Sequence, residues 1–161
     1  GYLRARGSWN WTLSLGGWDW GPAVGKLYSR HAAVARASER IGSHAKLGAH
    51  VILSTIQHLA KTVSNRGIIE SVHLFGASIP ANSLSPKAYG NIFQKIVNKK
   101  IINYYSPFDD VLKAAHDEKW VDSPIGYNGA TGNACIKYSQ KMVRPQNHRF
   151  ASYAKTLKSF P

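Results

Sequence analysis

The residues best suited to nucleophilic chemistry lie within residues 41–59. Ser43 and Lys46 form a Ser-x-x-Lys pattern, which sets a hydroxyl and an amine one helical turn apart, so the lysine could serve as base for the serine. The glycines and alanines around them predict a narrow turn, and the apolar spacing from Gly48 onward predicts a helix after it. A strand, a tight turn and a packed helix are the usual support of an exposed nucleophile. A buried helix entered through a plain loop is the alternative interpretation.

The elements that must position these residues alternate along the chain. Apolar spacing predicts helices, and runs of β-branched and aromatic residues predict strands. The pattern favours an α/β fold with a mostly parallel sheet and flanking helices. The first predicted elements are a helix at 22–40, a helix with Gly48, Ile52, Ile56 and Leu59 on one face, and a buried strand at 68–75. They are followed by a helix at 88–97 with Ile92, Ile96 and Val97 inward, a strand at 100–105 and a helix that begins at Asp109 and Asp110. The last predicted elements are a turn-rich loop at 122–135, a strand at 136–143, and a helix that follows the segment 144–153.

Length and composition point to one globular domain over residues 1–161, with a Trp-rich segment at 1–21. Cys135 is the single cysteine, so an internal disulfide and a cysteine-based zinc site are excluded. The formal net charge is +13, which attracts nucleic acid, anionic membranes or acidic partners. The basic residues are scattered and form no known nucleic-acid-binding motif, so we interpret the charge as a general surface property.

Membrane and cofactor signals are missing from the sequence. No apolar run approaches the roughly 20 residues that a spanning helix needs, and no signal peptide is visible, so we expect a cytoplasmic protein. His44, His50 and His58 surround one predicted helix, but no carboxylate accompanies them in a metal-binding motif. We therefore expect no metal and no cofactor. A partial sheet would leave an exposed edge, which predicts a homodimer.

Five short motifs occur in an order typical of one known superfamily. They are Gly17-Trp-Asp-Trp-Gly-Pro-Ala23, Ser43-His-Ala-Lys-Leu-Gly-Ala-His-Val51, Val72-His-Leu-Phe-Gly-Ala77, Asn103-Tyr-Tyr-Ser-Pro-Phe-Asp109-Asp-Val-Leu112 and a late His148. Through them the chain resembles the C-terminal part of an α/β-hydrolase of the esterase or lipase type. The resemblance is closest to a group of unknown function that is common in archaea and related to a eukaryotic membrane-associated branch.

The resemblance implies roles for three residues. Ser43 would attack the acyl carbon, His148 would take its proton, and Asp109 would hold the imidazole in the required tautomer. The order nucleophile, acid, histidine agrees with that superfamily. Without the resemblance, Asp109 is interpreted as a helix N-cap and His148 as a surface histidine, and Asp110 could exchange roles with Asp109.

The chain also departs from the pattern of that group. The elbow should read Ser-His-Ser-Leu-Gly. An ungapped alignment from Gly48 puts Lys46 at the nucleophile position, whereas a one-residue insertion keeps Ser43 and His44 and loses the elbow serine. From the resemblance we also expect the early strands, and the loop that supplies part of the oxyanion hole, to be missing. Three hypotheses follow: a carboxylic ester hydrolase with a small acyl-ester or lipid substrate, an inactive relative that binds nucleic acid or another anionic partner, and an esterase in which Ser43 works with Lys46.

Overall fold

The computed structural model describes residues 2–5, 13–14, 26–27 and 48–158. In this part of the chain six strands form one sheet in the order β2-β3-β1-β4-β5-β6. The strands are β1 (Tyr2–Ala5), β2 (Leu13–Ser14), β3 (Lys26–Leu27), β4 (Ile69–Phe75), β5 (Val97–Tyr105) and β6 (Tyr138–Met142). β5 runs parallel to both β4 and β6, and β1 is antiparallel to β4. The predicted α/β architecture with a mostly parallel sheet is confirmed.

Helices connect and flank the strands. They are α1 (Gly48–Leu59), α2 (Gly90–Ile96), α3 (Asp110–Asp117), α4 (Ile125–Asn128) and α5 (Phe150–Ala154), and a 3₁₀ turn occupies Val63–Asn65. None of the helices in the described ranges has both the length and the apolar character that crossing a bilayer demands.

The core is divided between the two faces of the sheet, because successive strand residues point to opposite sides. Leu74 belongs to the larger cluster, where α1 contributes Ile52 and Ile56. Phe75, its neighbour in β4, belongs to a smaller cluster with Tyr153 of α5. Burial on both faces is clearest in β4, where every residue except the half-buried Glu70 is buried, as expected for a strand in the interior of a sheet covered on both sides.

Three predicted boundaries are wrong. The helix predicted at 88–97 ends at Ile96, and Val97 instead begins β5, where it pairs with Ile69 of β4. The loop predicted at 122–135 contains the short helix α4. Lys26–Leu27 form a strand within the predicted helix 22–40, the rest of which lies outside the described residues.

Candidate active site

The turn after β5 carries Asp109 to the carboxyl end of the sheet. Ser106 is fully buried, and its backbone N–H donates to the carbonyl oxygen of Gly126 at 2.9 Å. Its Oγ accepts from the backbone N–H of Phe108 at 3.2 Å, and its carbonyl accepts from the N–H of Asp109 at 3.3 Å. These bonds fix the turn from both sides, so the position of Asp109 is set by the backbone.

Asp109 caps the N-terminus of α3. Its backbone is extended, and its Oδ1 accepts from the N–H of Leu112 at 3.1 Å. An aspartate at this position satisfies one of the free N–H groups of the first turn and places its negative charge at the positive end of the helix dipole. The side chain is fully buried, with 0% exposure, so this carboxylate depends on protein donors for its hydrogen bonds.

His148 reaches the other oxygen of that carboxylate. Because β6 lies parallel beside β5, the segments that follow the two strands leave the sheet at the same edge. The Nδ1 atom of His148 lies 2.6 Å from Oδ2 of Asp109, and the imidazole is 11% exposed. An ionised carboxylate only accepts hydrogen bonds, so Nδ1 carries the proton, and in the neutral ring Nε2 keeps a lone pair. The arrangement can therefore present an oriented base.

A third side chain, Tyr153 of α5, completes the surroundings of the carboxylate. Its hydroxyl donates to the same Oδ2 of Asp109 at 2.5 Å, and the residue is fully buried. The hydroxyl lies against Gly76, where a Cβ would be 2.9 Å from the oxygen. Gly76 also has a φ of +54°, a conformation that side chains disfavour. Glycine at this position therefore makes room for the Tyr153 hydroxyl.

The donors around Asp109 determine its charge state. Burial of the carboxyl alone would raise its pKa. The hydrogen bond and charge of His148, together with the hydrogen bonds from Tyr153 and the N–H of Leu112, outweigh burial and lower the pKa of Asp109 below its ordinary value. Burial, and then the negative charge of Asp109, raise the pKa of Tyr153. The pair is thus an ionised aspartate and a neutral tyrosine at neutral pH.

The structure describes only some of the site residues that the sequence predicted. Asp109 and His148 are in contact, whereas Ser43 and Lys46 lie outside the described residues. Asp110 is exposed in the first turn of α3, so Asp109 rather than Asp110 holds the imidazole. Tyr153 was not predicted as a site residue. No feature of the sequence indicates that its hydroxyl contacts Asp109, which lies 44 residues earlier in the chain.

A second buried histidine has a different environment. His73 of β4 lies with Nε2 3.2 Å from Oγ of Ser71 and with Nδ1 3.4 Å from the hydroxyl of Tyr104. The Tyr104 ring in turn stacks on Phe75, with 4.6 Å between centroids. His73 is therefore part of the packing of the smaller core cluster, although it belongs to one of the motifs that carry the resemblance.

Comparison with known protein families gives a match over most of the chain. The model of a family described as protein of unknown function (DUF726) matches residues 9–123, which is more than half of the chain. The chain belongs to the DUF726 family. The matched range of this DUF726 protein includes Ser43, Lys46 and Asp109 and ends before His148. No curated protein and no solved structure matches it.

Metal-binding chemistry has no counterpart in the described part of this DUF726 protein. Within residues 2–5, 13–14, 26–27 and 48–158, no three His, Cys, Asp or Glu side chains gather closely enough to hold an ion. His50 on α1 is partly buried, and burial lowers its pKa.

Proposed function

We propose that this DUF726 protein hydrolyses carboxylic esters, in the manner of an esterase or lipase, with Ser43 as nucleophile. The observation that carries the proposal is the 2.6 Å contact between Nδ1 of His148 and Oδ2 of the buried Asp109. When a carboxylate binds Nδ1 of a histidine, Nε2 remains able to accept a proton, and this is the arrangement that activates a serine.

The proposed reaction proceeds in two halves. Oγ of Ser43 attacks the acyl carbon while Nε2 of His148 takes its proton, and Asp109 stabilises the imidazolium that forms. The tetrahedral intermediate collapses, the C–O bond to the alcohol breaks, and His148 returns the proton to that alcohol. Water, deprotonated by the same imidazole, then attacks the acyl-serine. The bond between the acyl carbon and Oγ breaks, His148 returns the proton to Oγ of Ser43, and the carboxylic acid leaves. Tyr153 keeps Oδ2 of Asp109 in place through both halves.

Hydrolysis of short-chain p-nitrophenyl esters tests this proposal. Ser43→Ala and His148→Gln should each reduce turnover by on the order of 10⁴-fold. Ser64→Ala and His58→Gln are matched controls, because both residues are exposed on the surface away from the contact. Activity that survives the loss of both Ser43 and His148 would refute the mechanism.

A second candidate follows from Lys46 and the charge of +13. An inactive α/β protein that binds an anionic partner would keep the Asp109–His148 contact as structure only. A fluorophosphonate probe separates the two candidates, because it labels an activated serine covalently. Stoichiometric labelling that disappears in Ser43→Ala supports the esterase, and absence of labelling in the wild type supports the binding protein.

The Ser-x-x-Lys pattern gives a third candidate for the same reaction. In that mechanism the amine of Lys46, rather than His148, removes the proton from Ser43. Lys46→Ala would then abolish ester hydrolysis, whereas His148→Gln would leave most of it. The opposite result from the two variants supports the histidine mechanism.

A further inference from the structure

A cavity of about 530 Å³ lies between the carboxyl end of β6 and the segment that contains α5. Three of its lining residues carry a positive charge: Lys141, Arg144 and Lys155. Polar groups of Gln146 and Ser152 also line it. The described residues that line the cavity include no Asp or Glu, so its field is positive.

Among the described residues, no carboxylate forms an ion pair with any of the three cations. In the described part of the chain, Lys99 pairs with Glu70, and Lys113 pairs with Asp117. Lys141, Arg144 and Lys155 have no such ion pair with any residue described here, and all three are exposed. Uncompensated cations around a concave surface concentrate anions there.

The hydroxyl of Ser152 adds a directed donor to this charge. Its Oγ accepts from the backbone N–H of Gln146 at 2.7 Å and from that of Asn147 at 3.1 Å. Both lone pairs are thereby used, so its own O–H remains to donate. A guanidinium, two ammonium groups and a hydroxyl donor suit the several acceptor oxygens of a phosphate group.

Residues that line the cavity lie next to, or contact, residues that neighbour the candidate active site. The guanidinium carbon of Arg144 lies 4.2 Å from the centroid of the Phe108 ring, and Phe108 directly precedes Asp109. The segment held by Ser152 continues directly into His148. The cavity lining is therefore adjacent to the segments that carry Asp109 and His148, which is where a site for one part of a substrate would be expected.

We infer that this cavity binds the phosphate group of a phosphate-bearing acyl ester, an inference that rests on the proposed ester hydrolysis. The three cations match the charge of a phosphate monoester, which is about −1.5 to −2 at neutral pH. The phosphate could belong to a soluble ester or to a lipid headgroup, and both present the same oxygen atoms to the cavity.

Titration calorimetry with inorganic phosphate tests the cavity without any catalysis. The double variant Arg144→Gln/Lys155→Gln should weaken binding by at least about tenfold at constant ionic strength. The control Lys61→Gln/Lys87→Gln removes the same charge from exposed positions elsewhere and should stay within about twofold. Equal weakening in both pairs, or no binding by the wild type, would overturn the inference.

Kinetics and vesicle binding then identify the source of the phosphate. The ratio of kcat/KM for an acyl glycerol phosphate to kcat/KM for a neutral p-nitrophenyl ester should fall about tenfold in Arg144→Gln/Lys155→Gln. Cosedimentation with phosphatidylcholine vesicles only when they contain phosphatidic acid indicates a lipid headgroup, and its absence indicates a soluble ester. Phosphate binding without hydrolysis of any ester would refute the proposed function while the anion site itself stands.

Discussion

Replacement of Tyr153 by phenylalanine removes one hydroxyl from the most buried polar contact of the candidate site. The ring remains to fill the core, and Asp109 keeps its bonds from His148 and from the N–H of Leu112. A hydrogen bond to a charged group contributes about 1.5–3 kcal/mol. Because two donors remain for the carboxylate, we expect Tyr153→Phe to lower the free energy of unfolding by about 2 kcal/mol at neutral pH.

Urea denaturation measures this loss, with an unchanged m value as the sign that only stability has changed. Tyr89→Phe is the matched control, because Tyr89 is half-buried and packs against the larger core cluster, away from Asp109. The Tyr153 hydroxyl helps to lower the pKa of Asp109, so its contribution is present above the ordinary pKa of 3.8. The contribution is lost as the pH falls through the lower pKa of the folded state. A loss below about 0.5 kcal/mol at neutral pH, no larger than that of the control, would refute the argument.

Three further predictions follow from the described contacts. Since the pKa of Asp109 is lowered on folding, the wild type should lose stability more steeply than Asp109→Asn as the pH drops below 3.8, which urea titrations at several pH values would measure. Gly126→Ala should cost about 3 kcal/mol or more by the same method, because the added Cβ would lie 2.1 Å from the backbone nitrogen of Ala77. Lys99→Met should change stability by less than about 1 kcal/mol in urea, since the lysine that pairs with Glu70 is 62% exposed.

Two of these variants have a matched control. Asp110→Asn removes an exposed carboxylate next to Asp109 and should leave the acid dependence as it is. A Cβ at Gly132 would meet no atom within 4 Å, so any loss of stability in Gly132→Ala should come only from the strain of a side chain at the positive φ of +69°. If Gly126→Ala costs no more than Gly132→Ala, the backbone contact does not limit residue 126.

The parts of the fold that the sequence predicts are those in which local pattern and burial agree. The face that contains Ile52, Ile56 and Leu59 is buried as its helical spacing predicts. Val97 shows where this agreement fails, because it fits both the end of a helical stripe and the start of a strand. Pairing with Ile69 of β4 decides the matter, and that partner is distant in sequence.

The sequence predicted Asp109 and His148 as members of the candidate site but did not predict Tyr153. The sequence allowed two roles for Asp109, a helix cap or a catalytic acid. The two roles are compatible, because Oδ1 accepts from the N–H of Leu112 and Oδ2 contacts His148. The contact with His148 required knowledge that β6 lies beside β5. Tyr153 could not be inferred, because its hydroxyl reaches Asp109 only after α5 has packed on the sheet.

The close contact between the Tyr153 hydroxyl and Gly76 should constrain which residues can occupy these two positions in related sequences. A lineage that gained a methyl group at residue 76 would first have to shorten the aromatic residue, and in doing so it would release the carboxylate oxygen that the hydroxyl holds. A lineage that lost the tyrosine would remove the steric limit at residue 76, although the positive φ there would still favour glycine. A side chain at residue 76 should therefore occur only where residue 153 is smaller than tyrosine.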